Sequence, residues 1–286
     1  MAERDVSDAL LITGCSSGIG HETAKRLAEG EWTVYATARK PESIDDLKKA
    51  GCKTLTLDVT DEESMVAAVK AVEEAEGAVG ALVNNAGYSQ SGALEEVPLE
   101  KVRDQFETNV FGLLRMCQLV LPGMRRQGFG RIVNLSSMGG RLTFPGGGVY
   151  HATKHAVEAL SDALRFEVRE FGIDVVVIEP GLIKTEFGKT AAATVEPAKK
   201  DGSPYAEFDA RVAALTAEAY EGPMARLGAG PEAVAKVIER AITVRRPRTR
   251  YKITPSAKIV LGMRRLFTDR MWDRFVGTQF PRPGAK

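Results

Sequence analysis

Two residues four apart, Tyr150 and Lys154, are the strongest chemical signal in this sequence. If residues 149–171 form a helix, the two lie one turn apart on the same face. A phenol is a poor acid at neutral pH, with a free pKa of about 10. An ammonium held close favours the phenolate and lowers that value. Such a pair can pass a proton to or from a carbonyl or alcohol oxygen. A serine at the end of the preceding apolar strand, residues 131–137, could hold that oxygen, and Ser136 and Ser137 both stand there. A tyrosine and a lysine at this spacing also occur on the surface of any amphipathic helix, so the surrounding elements must decide.

Those elements alternate. Residues 9–13 form an apolar run that reads as a buried strand. Gly14, Ser16, Ser17, Gly18, Ile19 and Gly20 follow, and a helix continues over residues 21–28. A strand, a glycine turn and a helix N-terminus make an anion site, because free N–H groups and the helix dipole face the ligand. The spacing here is GxxxGxG, not GxGxxG, and a ligand-free glycine turn would look the same. The second strand, residues 32–38, runs into Arg39 and Lys40, where an acidic residue often holds the ribose hydroxyls of a dinucleotide. A cation there suits a 2′-phosphate and points to NADP over NAD, with a solvated loop arginine as the plain alternative. The neutral Ser17 faces the same question.

The third strand, residues 53–58, ends in Asp58, which could accept from an adenine amine. Asp58 or Asp61 could instead cap the helix of residues 62–75. Residues 80–83 form a fourth strand, and Asn84, Asn85, Ala86 and Gly87 make a polar turn at its end. A long helix over residues 99–127 carries Asn109 near its middle, as a bend or a polar core residue. Residues 174–181 are nearly all apolar, as buried parallel strands are, and end in Pro180 and Gly181. This rhythm predicts an α/β chain with a Rossmann-type, doubly wound parallel sheet of about seven strands. The glycine turn, Asn85, Ser137, Tyr150 and Pro180 all fall at the same end of it.

Composition sets the class. The chain has 286 residues, 27% charged and 44% apolar, with a net charge of +1. That is ordinary globular composition with no bulk field to recruit nucleic acid. Cys15, Cys52 and Cys117 show no disulfide or metal spacing, so no metal is expected and a reducing cytoplasm fits. The first eight residues are charged and do not read as a signal peptide, and no apolar run approaches the ~18 residues of a membrane span.

With these pieces in order, residues 9–185 resemble the short-chain dehydrogenase/reductase family. The resemblance rests on Thr13-Gly14-x-x-x-Gly18-Ile19-Gly20, Asn84-Asn85-Ala86-Gly87, Asn109, Ser137, Tyr150-x-x-x-Lys154 and Pro180-Gly181. The glycine turn and Tyr35-Ala36-Thr37-Ala38-Arg39 are similar to the 17β-hydroxysteroid and retinol dehydrogenase branch. In the family the serine lies thirteen residues before the tyrosine, which selects Ser137. The resemblance implies that Tyr150 is the general acid in reduction and the base in oxidation. It implies that Lys154 supports Tyr150 and binds the nicotinamide ribose, that Ser137 orients the substrate oxygen and that Asn109 holds a water in a relay with Lys154. It places the Gly14–Gly20 turn on the pyrophosphate side, Asp58 and Val59 by the adenine, and Asn85, Ala86 and Gly87 along the cofactor. Pro180, Gly181, Ile183 and Thr185 complete that set. His151 and His155 are expected off the Tyr150–Lys154 face, as helix-surface or groove residues rather than catalysts.

The remainder reads as one domain over residues 1–286, with a substrate lid at 182–226 and a C-terminal extension at 255–286. Phe187, Tyr205, Phe208 and Tyr220 are expected either to line an apolar pocket or to pack on the body. Arg245, Arg246, Arg248 and Arg250 read as a solvated basic loop. Residues 257–276 read as a cationic amphipathic helix that docks on the lid or a partner subunit in preference to a membrane interface. The expected activity is NADP(H)-dependent interconversion of a lipophilic carbonyl and an alcohol, with NAD(H) as a second cofactor and a homodimer or homotetramer by resemblance. The alternative is a non-catalytic NAD(P)-binding sensor or scaffold.

Overall fold

The computed structural model describes residues 6–195, 203–221 and 226–284, apart from the side chains of Lys189, Tyr220 and Glu221. Seven parallel strands form one sheet. They are β1 (Ala9–Ile12), β2 (Thr33–Ala38), β3 (Lys53–Thr56), β4 (Ala81–Asn84), β5 (Gly130–Leu135), β6 (Ile173–Glu179) and β7 (Arg250–Lys252). Their spatial order is β3-β2-β1-β4-β5-β6-β7, so the chain reverses direction between β3 and β4, leaving a crevice at the carboxyl ends of β1 and β4.

Alternation along the strands sorts the core into two layers. Leu10 and Ile12 of β1 face α1 (Gly18–Ala28), α2 (Asp45–Lys49) and α9 (Pro231–Thr243), with Leu27, Leu47 and Ile238 in the same cluster. Ala9 and Leu11 face the other way, onto α3 (Glu62–Glu76), α5 (Leu113–Gln127) and α6 (Gly148–Val168), with Val72, Met116 and Val157. Both faces are covered, which is why the central strands β1, β4 and β6 are mostly apolar on both sides.

Residues 99–127 are not one regular helix. They run as α4 (Leu99–Phe106), a π-helical segment (Glu107–Gly112) and α5, so the bend expected at Asn109 is a local overwide turn. The C-terminal segment also differs from the single helix expected. It forms α10 (Pro255–Leu266) and α11 (Asp269–Val276), because the Thr268 hydroxyl caps a new start by accepting from the Met271 N–H.

Above the strand ends lie α7 (Glu186–Thr194) and α8 (Ala206–Glu221). Phe208 and Val212 of α8 pack with Ala93 and Val195. Leu261 of α10 and Trp272 and Val276 of α11 pack on Leu142, and Phe280 touches both clusters. The α10–α11 pair therefore covers the loop after β5 with its apolar side. The polar break expected near 197–204 lies largely outside the described residues. No described helix is long and apolar enough to cross a membrane.

Candidate active site

The crevice is a cavity of about 1150 Å³. Its floor begins at the glycine turn. Gly14 and Gly18 have φ of 72° and 59°, a region that favours glycine. Asn85 clips this turn to the end of β4. Its side-chain amide donates to the Thr13 and Gly14 carbonyls at 3.0 and 2.9 Å, and its own N–H donates to the Thr13 hydroxyl at 3.0 Å. Gly20, expected among the cofactor-binding glycines, is not part of the cavity lining. It sits under the turn, where an added Cβ would lie 2.4 Å from Asn85 Nδ2, so its bareness lets α1 approach.

Gly14, Ser16, Ser17, Gly18, Ile19, Arg39, Asp58, Val59, Asn85, Ala86 and Gly87 all line the cavity. Pro180, Gly181, Ile183 and Thr185 close it on the far side. Arg39 is exposed at the end of β2 and has no ion pair among the described residues. Asp61, not Asp58, caps α3, accepting from the Glu63 and Ser64 N–H groups. The Asp58 carboxylate accepts from the Thr60 N–H and hydroxyl at 2.9 and 2.8 Å. Thr185 caps α7, and Ile183 pairs with Ala229 as a short parallel bridge.

Lys154 and Tyr150 project from the first turns of α6 into the same cavity as Ser137. The Lys154 ammonium donates to the Leu135 carbonyl at 2.7 Å, which ties α6 to the end of β5. It stands 5.8 Å from the Tyr150 ring centre. Burial pushes the Lys154 pKa down to about 8, against a smaller upward pull from the Glu158 carboxylate. Ser137 accepts from the Gly139 N–H at 3.0 Å, which fixes its hydroxyl at the cavity wall. Its neighbour Ser136 points inward and is buried.

Asn109 also stays out of the cavity lining. It is buried in the π segment, with its amide paired to the Tyr88 backbone in both directions, at 2.9 and 3.1 Å. A Cβ on Gly87 would stand 3.0 Å from Asn109 Oδ1 and 3.7 Å from Lys154 Nζ, so a side chain there would crowd Asn109 and touch Lys154.

His151 takes the groove position of the two that the sequence left open. It is buried and lines the cavity beside Tyr150, with ring centres 5.7 Å apart, whereas His155 is exposed as expected. Gly139 and Gly147, on either side of the ring, were the available signal. Of the aromatics expected in a lid, Phe187 lines the cavity and lies 5.6 Å from the Tyr150 ring. Phe208 is buried against Phe280, and Tyr205 turns to Glu95, so neither lines it, and the Tyr220 side chain is outside the described residues. The C-terminal extension adds Ser256, Val260, Gln279 and Phe280 to the wall.

The basic loop also divides. Arg245, Arg246 and Arg248 are exposed, but Arg250 turns inward to Glu158 and Asp162 at 2.9 and 2.7 Å. Cys15, Cys52 and Cys117 are buried free thiols, with burial raising their pKa values to about 12, 11 and 12. No group of three potential metal ligands occurs among the described residues.

The family model described as short chain dehydrogenase matches residues 8–196. This chain belongs to the short-chain dehydrogenase family. The short-chain dehydrogenase from Streptomyces avermitilis superposes with a TM-score of 0.79 and 35% identity, over 95% of this chain and 96% of that one. The oxidoreductase YusZ of Bacillus subtilis is 36% identical over 92% of this chain and 95% of its own. The NADPH-dependent 3-dehydrocapnine reductase of Ornithobacterium rhinotracheale is 36% identical, over 92% of this chain and 94% of its own. The 3-ketodihydrosphingosine reductase of Bacteroides thetaiotaomicron is also 36% identical, over 88% and 90%. Like them, this short-chain dehydrogenase is an oxidoreductase.

Proposed function

We propose that this enzyme reduces a lipophilic ketone or aldehyde with NADPH, and oxidises the alcohol in reverse, with Tyr150 as proton donor and acceptor. The observation that carries the reading is the buried Lys154 ammonium, held by the Leu135 carbonyl beside Tyr150 and in one cavity with Ser137. The cavity fits a dinucleotide. Its floor is a glycine turn at a helix N-terminus, lined by Gly14, Ser16, Ser17 and Gly18. Arg39 offers a cation, with no neighbouring carboxylate at the end of β2, for a 2′-phosphate. NADH would fit the same floor without that contact. The NADPH-dependent relative favours the same choice.

When bound, the cofactor supplies the hydride. The chain supplies the rest. Ser137 donates to the carbonyl oxygen and fixes its direction. Tyr150 gives that oxygen a proton, so the alcohol leaves neutral. The Lys154 charge stabilises the phenolate left behind, and in this poorly solvated site the effect is larger than in water. Asn109 acts at one remove, holding Tyr88 and the Gly87 backbone beside Lys154. Apolar walls from Phe187, Leu215, Val260 and Phe280, and relatives named for reducing 3-dehydrocapnine and 3-ketodihydrosphingosine, support a lipophilic substrate. Unpaired buried thiols support a cytoplasmic setting. Phe111 and Phe166, exposed on the π segment and α6, support a homodimer or homotetramer through those helices.

Tyr150→Phe tests the mechanism. Turnover of a long-chain ketone should fall about a thousandfold, while NADPH binding by fluorescence titration stays within about threefold. Turnover surviving the change nearly intact would refute the assignment of the proton to Tyr150.

A further inference from the structure

His151 takes no part in the proton transfer just described, yet it is built into the same wall. Its ring is clasped by two glycines. A Cβ at Gly139 would lie 2.3 Å from Nδ1, and one at Gly147 would lie 2.6 Å from Nε2. Phe144 and Tyr150 bracket the ring at 6.3 and 5.7 Å. The residue is 8% exposed and lines the cavity.

The tautomer follows from one contact. Nδ1 lies 3.1 Å from the Gly139 carbonyl oxygen, which can only accept, so Nδ1 carries the proton. Burial keeps the ring neutral by pushing its pKa down to about 4. In a neutral imidazole the other nitrogen is then an acceptor. Nε2 has no hydrogen-bond partner among the described residues, and it is not sealed away in protein like the Ser136 hydroxyl. It is an accessible lone pair on a ring that lines the cavity with Tyr150.

We propose that His151 Nε2 accepts a hydrogen bond from a hydroxyl or protonated amine on the carbon next to the reacting carbonyl. The preferred substrates are therefore α-hydroxy or α-amino ketones rather than plain ketones. This inference rests on the reading of Tyr150 as the residue that meets the carbonyl oxygen. A neighbouring substituent on the substrate then falls beside that oxygen, as the imidazole falls beside the phenol. Discrimination arises because a substrate lacking the donor would cover Nε2 and leave it unpaired.

The test uses four ketones of one chain length: unsubstituted, α-hydroxy, α-methoxy and α-amino. The methoxy compound keeps the oxygen and removes the donor. With NADPH, kcat/KM should favour the α-hydroxy over the α-methoxy ketone by about ten- to hundredfold. His151→Phe, which keeps the clasp filled, should bring the two within about threefold and leave the unsubstituted ketone within about twofold of its original value. The α-amino ketone should follow the hydroxy compound. A preference that survives His151→Phe, or equal turnover of both oxygen compounds by the original enzyme, overturns the inference. Nitrogen-15 NMR of histidine-labelled enzyme with NADP+ gives a readout independent of turnover. The Nε2 resonance should sit at the unprotonated position and move with the α-hydroxy ketone but not the α-methoxy ketone. A protonated Nε2, or the same response to both, overturns the inference. A selective response with no ketone turned over would support His151 as the acceptor and retire the Tyr150 reading instead.

Discussion

The two ends of the cavity are held by different forces. At the chemical end, side chains are pinned to backbone groups at the ends of parallel strands. Asn85 binds the Thr13 and Gly14 carbonyls, Lys154 binds the Leu135 carbonyl, and Asn109 binds the Tyr88 backbone. At the other end, which we propose acts as a lid, α7, α8, α10 and α11 meet through small apolar clusters around Phe208, Trp272 and Phe280. A few polar tethers join lid to body, among them the Thr194 hydroxyl accepting from the Ser91 N–H at 3.1 Å and the Asp209 carboxylate accepting from the Ala93 N–H at 2.9 Å. Directional bonds to a rigid sheet suit groups that must hit one atom. Apolar contacts, which tolerate exchange at constant volume, suit a wall that only has to match a shape.

This contrast can be broken or sharpened by experiment. Lys154→Met should strike hardest after loss of the Tyr150 hydroxyl, lowering kcat about a hundredfold. In the unaltered enzyme, kcat/KM for NADPH should fall as pH rises through about 8, where the buried Lys154 ammonium gives up its proton. Lys154→Met should abolish that limb. Arg39→Ala should lower kcat/KM about tenfold with NADPH and leave NADH within about twofold, as parallel assays would read.

At the lid end, Trp272→Ala should raise KM for a long-chain ketone about fivefold with kcat nearly unchanged. It removes a buried ring whose indole N–H donates to the Thr143 carbonyl at 3.0 Å, so thermal melts should also record about 3 kcal/mol of lost stability. A large kcat effect there would mean that the two ends are coupled after all. The mildest effect touches no rate at pH 7. His151 has a folded pKa of about 4, depressed from 6.5, so the unfolded chain binds that proton first as pH falls. Its contribution is intact above pH 6.5 and is lost as pH falls toward 4, by about 3 kcal/mol in all. Urea titrations should show this pH dependence reduced in His151→Phe.

The same division explains what the sequence disclosed. The chemical end is written in short local patterns, since a glycine turn, a serine after a strand and a tyrosine four before a lysine each fix their own geometry. Asn109 was readable as a bend but not as a π turn, because Val102, Phe106, Val110 and Leu113 keep an apolar spacing that a regular helix also satisfies. His151 was placed off the reactive face by helical angle alone, and angle does not record the hollow left by Gly139 and Gly147. At the lid end, contacts join residues far apart in sequence, as between Leu142 and Trp272, and no local spacing encodes them. The break between α10 and α11 was marked by Thr268 and Asp269, a cap signal hidden within an apolar periodicity that ran straight through it.

The overwide turn at Glu107–Gly112 makes this enzyme vulnerable to an ordinary genetic accident. Loss of a single codon there, such as that for Thr108, would let α4 and α5 join as one regular helix. Local hydrogen bonding would improve and the flanking faces would keep their phase, but the residues inside the wide turn would be re-aimed. Asn109 could not keep its bonds to Tyr88 while Leu113 and Met116 kept their places in the core. A folded, even sturdier, protein could therefore emerge with its chemistry gone. Stability screens of variants in this stretch would then reward what activity screens discard.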